Sequence, residues 1–216
     1  MSSFRILVEG DYACFTRPEF SVERFTYDTI TPTAASGLIG AIHHKPAIRW
    51  VIDCICVLKP IQTMSMAVNE LGNATAYGTD QVDICKERMQ RSQIILRDVA
   101  YVIDFHAEET GVACEEDRTR GVNVLAKNIG IMRRRLKRGQ FFHQPCLGLR
   151  EFPADVRLID EAPATVHRGE RKLGLMPHTS DSKEGRFWFW EAAMVDGVIE
   201  VPPLSDRRVV EGGVRK

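Results

Sequence analysis

Alternating and continuous apolar runs predict four β-strands between the N-terminus and about residue 160. In the first run Phe4, Ile6 and Val8 occupy every second position, so they share one face of a half-buried strand. The second run (WVIDCICVL) is apolar and rich in β-branched residues, as buried strands are. Pro153 interrupts the fourth run. The predicted strands are Phe4–Glu9, Trp50–Leu58, Val99–Phe105 and Leu147–Ile159.

Apolar residues spaced three and four positions apart predict two helices. Thr31 and Pro32 begin the first helix as N-cap and first helical residue, and Pro46 ends it. The second helix runs over 122–138 and is capped by Gly139. The apolar stripes are Ala35, Leu38, Ile39 and Ile42 in the first helix and Val122, Leu125, Ile129, Met132 and Leu136 in the second. The opposite side of the second helix carries Lys127, Arg134 and Arg138.

The elements follow one another as β-α-β-β-α-β, the split βαβ order of ferredoxin-like and RNA-recognition (RRM-like) folds. We therefore predict an α+β protein in which residues 1–160 form a ferredoxin-like domain. Residues 161–216 are predicted to form a small antiparallel β extension, with a strand at RFWFWEAAMV and a hairpin turn at Asp196-Gly197 leading into Val198–Val201. Two segments are predicted as loops: Lys59–Gln93 and the run PHTSDSKEG.

Composition narrows the class of protein. The chain has 216 residues, of which 44% are hydrophobic and 27% are charged, so it can bury a core and does not have the composition of a disordered protein. No apolar stretch approaches the roughly 20 residues of a membrane span, and MSSFRILVEG does not resemble a signal peptide. The six cysteines are scattered without a CxxC pair, which favours reduced thiols and a cytoplasmic protein without membrane contact.

The charge is balanced overall but unevenly distributed. The chain has 29 basic and 29 acidic residues, yet the 33-residue window 118–150 contains nine Lys or Arg and no carboxylate. Five of these cations lie in the six positions from Arg133 to Arg138. One interpretation is a positive face that binds an anionic partner. The alternative, cations favoured at a helix C-terminus by the macrodipole, accounts for Arg135, Lys137 and Arg138 but not for the missing acids.

The residue patterns give little support to metal or nucleotide-cofactor chemistry. His143 and Cys146 form one isolated HxxC pattern, and the sequence has neither a GxxxxGK[ST] loop nor a GxGxxG turn. We therefore predict no metal and no cofactor. His43 and His44 at the end of the first helix can move protons near neutral pH, although capping the helix is an alternative role. Lys127 is either a functional cation or a solvated lysine.

Three long segments resemble the CRISPR-associated Cas5 family of the RAMP superfamily, and specifically its subtype I-C members. They are GDYACFTRPEF, VERFTYDTITPTAASGLIGAIHHKPAIRW and RRRLKRGQFFHQPCLGLREFPADV, and the resemblance covers roughly residues 4–160. It implies a ferredoxin-like endoribonuclease that cuts precursor CRISPR RNA within the repeat, which forms a hairpin, without a metal. It also implies that the protein then holds the 5′ handle of the guide RNA in a Cascade-type surveillance complex. The implied partners are a Cas7 backbone subunit, a large Cas8-type subunit and, indirectly, target DNA.

The resemblance also implies the site residues. The family places a tyrosine in an AI-Y-x-KP stretch and an adjacent Lys-His pair in the second helix; these positions are His43, Lys127 and Asn128 in this sequence. The implied reaction is attack of the RNA 2′-hydroxyl on the adjacent phosphate, which gives a 2′,3′-cyclic phosphate and a 5′-hydroxyl. His43 would move the proton and Lys127 would stabilise the phosphorane, whereas Asn128 can donate a hydrogen bond but cannot transfer a proton.

The implied RNA-binding residues are His44, Lys45, Arg133, Arg134, Arg138, Gln140 and His143. Four aromatic residues are candidates for stacking on bases, although burial in the core is the commoner fate of phenylalanine: Tyr12, Phe15, Phe141 and Phe142. Two other interpretations stay open. One is a non-catalytic Cas5 subunit that only caps and binds the 5′ handle. The other is an unrelated metabolic enzyme of ferredoxin-like fold, which the missing cofactor motifs and the acid-free basic window disfavour.

Overall fold

The computed structural model describes residues 3–20, 23–71, 85, 88–112, 121, 123–181 and 186–212. Ten strands and two helices are named within this part of the chain. They are β1 Ser3–Ala13, β2 Arg24–Phe25, α1 Pro32–Ile42, β3 Ile48–Val57, β4 Thr63–Leu71, β5 Arg88–Glu109, α2 Val124–Arg138, β6 Asp155–Leu158, β7 Glu170–Asp181, β8 Arg186–Val195, β9 Val198–Glu200 and β10 Val210–Gly212. Neither helix is long and apolar enough to cross a membrane.

One large sheet organises the fold, with neighbouring strands in the order β10-β8-β9-β3-β5-β1-β6. Each of these pairings is antiparallel. The long strand β5 pairs with β1 and β3 along its C-terminal part and with β4 along its N-terminal part, while β7 pairs with β8. The prediction of a protein that mixes α and β elements is confirmed, and the structure shows that its sheet is large and antiparallel.

Both helices pack on the same face of the sheet. The alternation in β1 directs Phe4, Ile6 and Val8 into the main core, together with the apolar residues of α1 and with Met132 and Leu136 of α2. Leu7 points to the other face and belongs to a smaller cluster. The C-terminal strands share the main core through residues such as Leu173, Met176, Trp190, Ala192 and Met194.

The predicted helices are confirmed, with small shifts at their ends. Thr31 caps α1, because its hydroxyl accepts a hydrogen bond from the Ala34 N–H at 3.2 Å. Asn123 caps α2 in the same way, so this helix begins at Val124, and Val122 lies outside the described residues. Gly139 ends α2 with φ of 60°, the left-handed conformation that favours glycine. The hairpin turn at Asp196-Gly197 is also confirmed, since both residues have positive φ (47° and 82°).

Three predictions about loops and strands are wrong in part. The predicted loop Lys59–Gln93 contains β4 and the start of β5, while 72–84 and 86–87 lie outside the described residues. The run PHTSDSKEG begins inside β7, and its residues 182–185 are not described. The fourth predicted strand is limited to β6, because Leu147–Ala154 forms turns and an isolated bridge. In the first two cases main-chain pairing with a neighbouring strand overrides a polar, loop-like composition.

Candidate active site at the junction of the two helices

His43 is held where α1 ends, and its main chain is fixed on both sides. It is the C-cap residue, and its N–H donates to the Ile39 carbonyl at 3.1 Å. The His43 carbonyl accepts a hydrogen bond of 2.6 Å from Nε1 of Trp50, a residue of β3. The Trp50 ring also meets the His43 ring edge-on, with 6.3 Å between centroids. A buried indole therefore fixes the position of His43.

The end of α2 and the segment that follows it form hydrogen bonds with the C-terminal end of α1. The Ala41 carbonyl accepts from the N–H groups of Phe142 and His143, at 3.1 and 2.9 Å. Arg135 donates from Nη1 to the Ile42 carbonyl at 2.5 Å. Two of the carbonyls that the end of α1 leaves without intrahelical partners are thus satisfied by another part of the chain.

Asn128 binds the His43 side chain across the junction. Nε2 of His43 lies 2.8 Å from Oδ1 of Asn128, a contact between residues 85 positions apart. The Asn128 amide donates from Nδ2 to the Val124 carbonyl at 2.8 Å, so its Oδ1 faces His43 as an acceptor. His43 must then carry its proton on Nε2 when it is neutral, which leaves Nδ1 as the basic nitrogen. Both residues are buried, with His43 2% and Asn128 4% exposed.

Burial keeps His43 neutral. It lowers the pKa of this imidazole below its ordinary value of about 6.5, because the charged form loses hydration. The hydrogen bond with Asn128 raises the pKa and offsets part of this effect. The nearby positive charges of Arg135, Lys45 and His44 lower it further.

This lowered pKa predicts a pH dependence of stability. The unfolded chain binds a proton at His43 more readily than the folded chain, so the free energy of unfolding falls as the pH drops below about 6.5. The variant His43→Gln removes the titrating group, and we expect its stability to fall less steeply over the same range. Urea unfolding of both proteins at pH 7.5 and pH 5.0 measures the difference. Equal losses in the two proteins would contradict this assignment.

Lys127 lies beside this junction on the exposed side of α2. Its N–H donates to the Asn123 carbonyl at 3.0 Å, within the first turn of the helix. Successive helical residues are turned by about 100°, so Lys127 leaves the helix next to Asn128 but toward solvent. The structure therefore brings two of the three predicted catalytic residues into contact and places the third beside them.

The predicted RNA-binding residues are all exposed, and they lie at the end of α1, along α2 and just after it: His44, Lys45, Arg133, Arg134, Arg138, Gln140 and His143. A groove of about 310 Å³ runs along this side of α2 and is lined by Gly130, Arg133, Arg134, Lys137 and Arg138. Lys137 was missing from the predicted set. Arg135 belongs to the same basic run but faces α1, so the run is divided between a binding face and a structural contact.

The aromatic candidates differ in accessibility. Phe15 is 3% exposed and belongs to the main core, so the prediction that it stacks on bases is wrong. Phe141 is half-buried against the same core. Phe142 is 66% exposed, and its ring lies 4.4 Å from that of His143. Tyr12 is 38% exposed, so Phe142 is the most accessible of the three remaining candidates.

Comparisons with known proteins identify the family. A family model described as CRISPR-associated protein (Cas_Cas5), of the Cas5d type, matches residues 4–216. A relative from Mannheimia succiniciproducens is 43% identical over an alignment of 224 positions, which covers 95% of this chain and 97% of the relative. A relative from Thermus thermophilus is 40% identical over 154 residues, covering 71% and 63%. Both are called CRISPR pre-crRNA endoribonuclease Cas5d. The chain belongs to the Cas5 family of CRISPR-associated proteins, as a member of its subtype I-C branch.

Solved structures show the same fold. A CRISPR-associated protein has a TM-score of 0.70 at 24% identity, over 97% of this chain and 96% of its own. A functionally uncharacterized protein from Streptococcus mutans has a TM-score of 0.69 at 25% identity, over 97% of both chains. A chain of a CRISPR RNA-guided surveillance complex has a TM-score of 0.51 at 17% identity, over 97% and 90%.

Proposed function

We propose that this chain is an endoribonuclease that cuts precursor CRISPR RNA within the repeat and then holds the 5′ handle of the guide RNA in a surveillance complex. The observation that carries the proposal is the junction of His43, Asn128 and Lys127 beside an exposed cationic groove. It occurs in a chain that is 43% identical, over 95% of its length, to a relative called a pre-crRNA endoribonuclease.

The proposed reaction needs no metal. The 2′-hydroxyl of the RNA attacks the neighbouring phosphorus and its proton passes to Nδ1 of His43. The bond to the 5′-oxygen breaks, and this oxygen takes a proton from water to become the 5′-hydroxyl. Lys127 stabilises the negative charge that builds on the phosphate oxygens. Asn128 holds His43 in the tautomer that leaves Nδ1 free to accept the proton. Because His43 is only 2% exposed, this role requires bound RNA to open the junction, whereas Lys127 is exposed already.

The strand arrangement supports a ferredoxin-like assignment. Strand β5 lies between β1 and β3 and is antiparallel to both, so β1 and β3 are parallel to each other and α1 connects them. This is a split βαβ unit, and β6 follows α2 at the outer side of β1. On this assignment β4 is an insertion between β3 and β5. The boundary at residue 160 stays a prediction.

RNA is proposed to bind on the helical side of the sheet. Many RNA-recognition sheets stack bases on aromatic residues of their open face. Here the described residues of β1, β3 and β5 on that face include no Phe, Tyr or Trp. Ion pairs cross it, among them Arg5 with Asp104, Arg49 with Glu108 and Arg157 with Glu9. The exposed cations of α2 are a better site for a polyanion.

The remaining expectations are also proposals. The guide handle, a Cas7 backbone subunit and a large Cas8-type subunit are the proposed partners, with target DNA contacted indirectly, and the proposed location is the cytoplasm. A non-catalytic subunit that only binds the handle is the second candidate function. The burial of His43 favours it, because a covered imidazole cannot meet RNA without a change in the junction.

One cleavage assay separates the two candidates. We expect the purified protein to cut its cognate repeat RNA in EDTA and to leave a 2′,3′-cyclic phosphate and a 5′-hydroxyl. A repeat with a single 2′-deoxy nucleotide at the cut position should bind equally well and stay intact, because the nucleophile is missing. Tight binding with no cleavage of the all-ribose repeat, in EDTA or in Mg²⁺, would leave only the non-catalytic function. Cleavage only in Mg²⁺ would overturn the metal-free reaction.

A further inference from the structure

A notch opens at the edge of the sheet where β6 stops short. β6 pairs with β1 only over Ile6–Glu9, and the next contact is the Ile159 N–H donating to the Arg5 carbonyl at 3.0 Å. The N-terminal residues of β1 therefore extend past their neighbour. A cavity of about 680 Å³ lies at this position, and its volume is large enough for a nucleotide. The charged and aromatic residues that line it are Phe4, Arg5, Asp104, Arg133, Lys137 and Asp160.

The notch continues the cationic groove of α2. Arg133 and Lys137 line both cavities, so the two cavities are adjacent. Phe4 points to the helical side of the sheet and Arg5 to the other side, because successive residues of a strand alternate. A chain that follows α2 would thus pass around the sheet edge and reach Arg5.

The chemistry of the lining fits a phosphate and its base. Asp104 holds the Arg5 guanidinium by two hydrogen bonds, from Nε at 2.7 Å and from Nη2 at 2.8 Å. These bonds use two of the five N–H donors of the Arg5 guanidinium and fix the direction of the other three. The Arg133 guanidinium lies over the Phe4 ring at 5.8 Å, a cation–π contact that orients a second cation. The notch thus contains three cations and two carboxylates: Arg5, Arg133 and Lys137, with Asp104 and Asp160.

We propose that this notch, defined by Arg5, Arg133, Lys137 and Asp104, binds a nucleotide of the single-stranded RNA that flanks the repeat hairpin. The proposal rests on the proposed function, since it needs RNA on α2. A single strand can turn around a sheet edge, whereas a stiff duplex cannot, so the occupant is single-stranded. Arg5 contacts the phosphate, and Asp104 orients Arg5.

The test compares two RNAs, the repeat hairpin alone and the hairpin with its single-stranded flanks. For Arg5→Gln we expect about a tenfold weaker affinity for the flanked RNA, a smaller loss for the hairpin alone, and a salt slope reduced by about 0.7, the value for one phosphate on a single strand. Asp104→Asn keeps one oxygen that can orient Arg5 but removes a negative charge from the notch, so this variant should bind the flanked RNA at least as tightly as wild type. Fluorescence anisotropy at several salt concentrations measures all of these affinities.

Arg157→Gln is the matched control, because Arg157 also pairs with a carboxylate on the open face of the sheet but does not line the notch. The proposal that the notch binds RNA would be overturned if Arg5→Gln bound the flanked RNA like wild type, with an unchanged salt slope. An equal loss for Arg157→Gln would also overturn it, since it would show a general charge effect. If wild-type protein binds neither RNA, the proposed function itself fails. Thermal unfolding of each variant verifies that it is folded.

Discussion

Replacing Lys127 with alanine will lower the rate of repeat cleavage by at least about 100-fold, since a positioned charge at the reacting phosphate is worth two to three orders of magnitude. The side chain is exposed on α2 and lies next to the buried Asn128–His43 contact, so its loss should leave folding intact. Single-turnover cleavage of the repeat, with saturating enzyme, measures the chemical step apart from binding. Lys172→Ala is the control, because Lys172 is an exposed lysine on β7.

His43→Gln completes this experiment. If His43 accepts the proton, the glutamine variant should lose cleavage to a similar extent while it keeps its affinity for RNA. If it cleaves like wild type, His43 only fastens α1 to α2, and an exposed imidazole such as His143 becomes the candidate for proton transfer. Wild-type rates in both Lys127→Ala and His43→Gln would remove the junction from the reaction altogether.

Gly148→Ala will cost at least about 3 kcal/mol of folding stability, the range of a strained backbone combined with a steric clash against another part of the main chain. Gly148 has φ of 89°, and a Cβ there would lie 1.9 Å from the Cys14 carbonyl oxygen. That carbonyl cannot easily retreat, because the Cys14 N–H donates to the Leu147 carbonyl at 3.0 Å. Equilibrium unfolding in urea measures the loss.

Gly37→Ala provides the opposite control. Gly37 lies within α1, and a Cβ at this position meets nothing within 4 Å. Alanine is the better helix former, so this variant should gain about 0.5–1 kcal/mol. Gly148→Ala as stable as wild type would show that the turn at 148 relaxes without cost.

The helices could be predicted because their signals are local. A cap residue, an apolar stripe and a terminal Gly or Pro lie within a few residues of one another in α1 and α2. The strands β4 and β7 could not be predicted in the same way. Their polar residues lie in hairpins whose partners, β5 and β8, supply the main-chain hydrogen bonds, and composition alone does not report a partner.

In the candidate site, too, the features with a local sequence signal could be predicted and the long-range contact could not. The exposed cations of α2 follow from the helical wheel, because they lie opposite the buried Met132 and Leu136. The contact between His43 and Asn128 joins residues 85 positions apart, so no local pattern contains it. One signal was available: Asn128 lies three residues after Leu125 and four before Met132, within the apolar stripe. A polar residue at such a position is buried and needs a partner.

The indole of Trp50 is a fluorescent reporter at the junction of His43 and Asn128. It is one of three tryptophans, its N–H is bonded to the His43 carbonyl, and it is 6% exposed in the main core. Any opening that lets RNA reach His43 must change the polarity and hydrogen bonding around this ring. With Trp188 and Trp190 replaced by phenylalanine, the emission of the remaining tryptophan reports that opening directly, in real time and without a label.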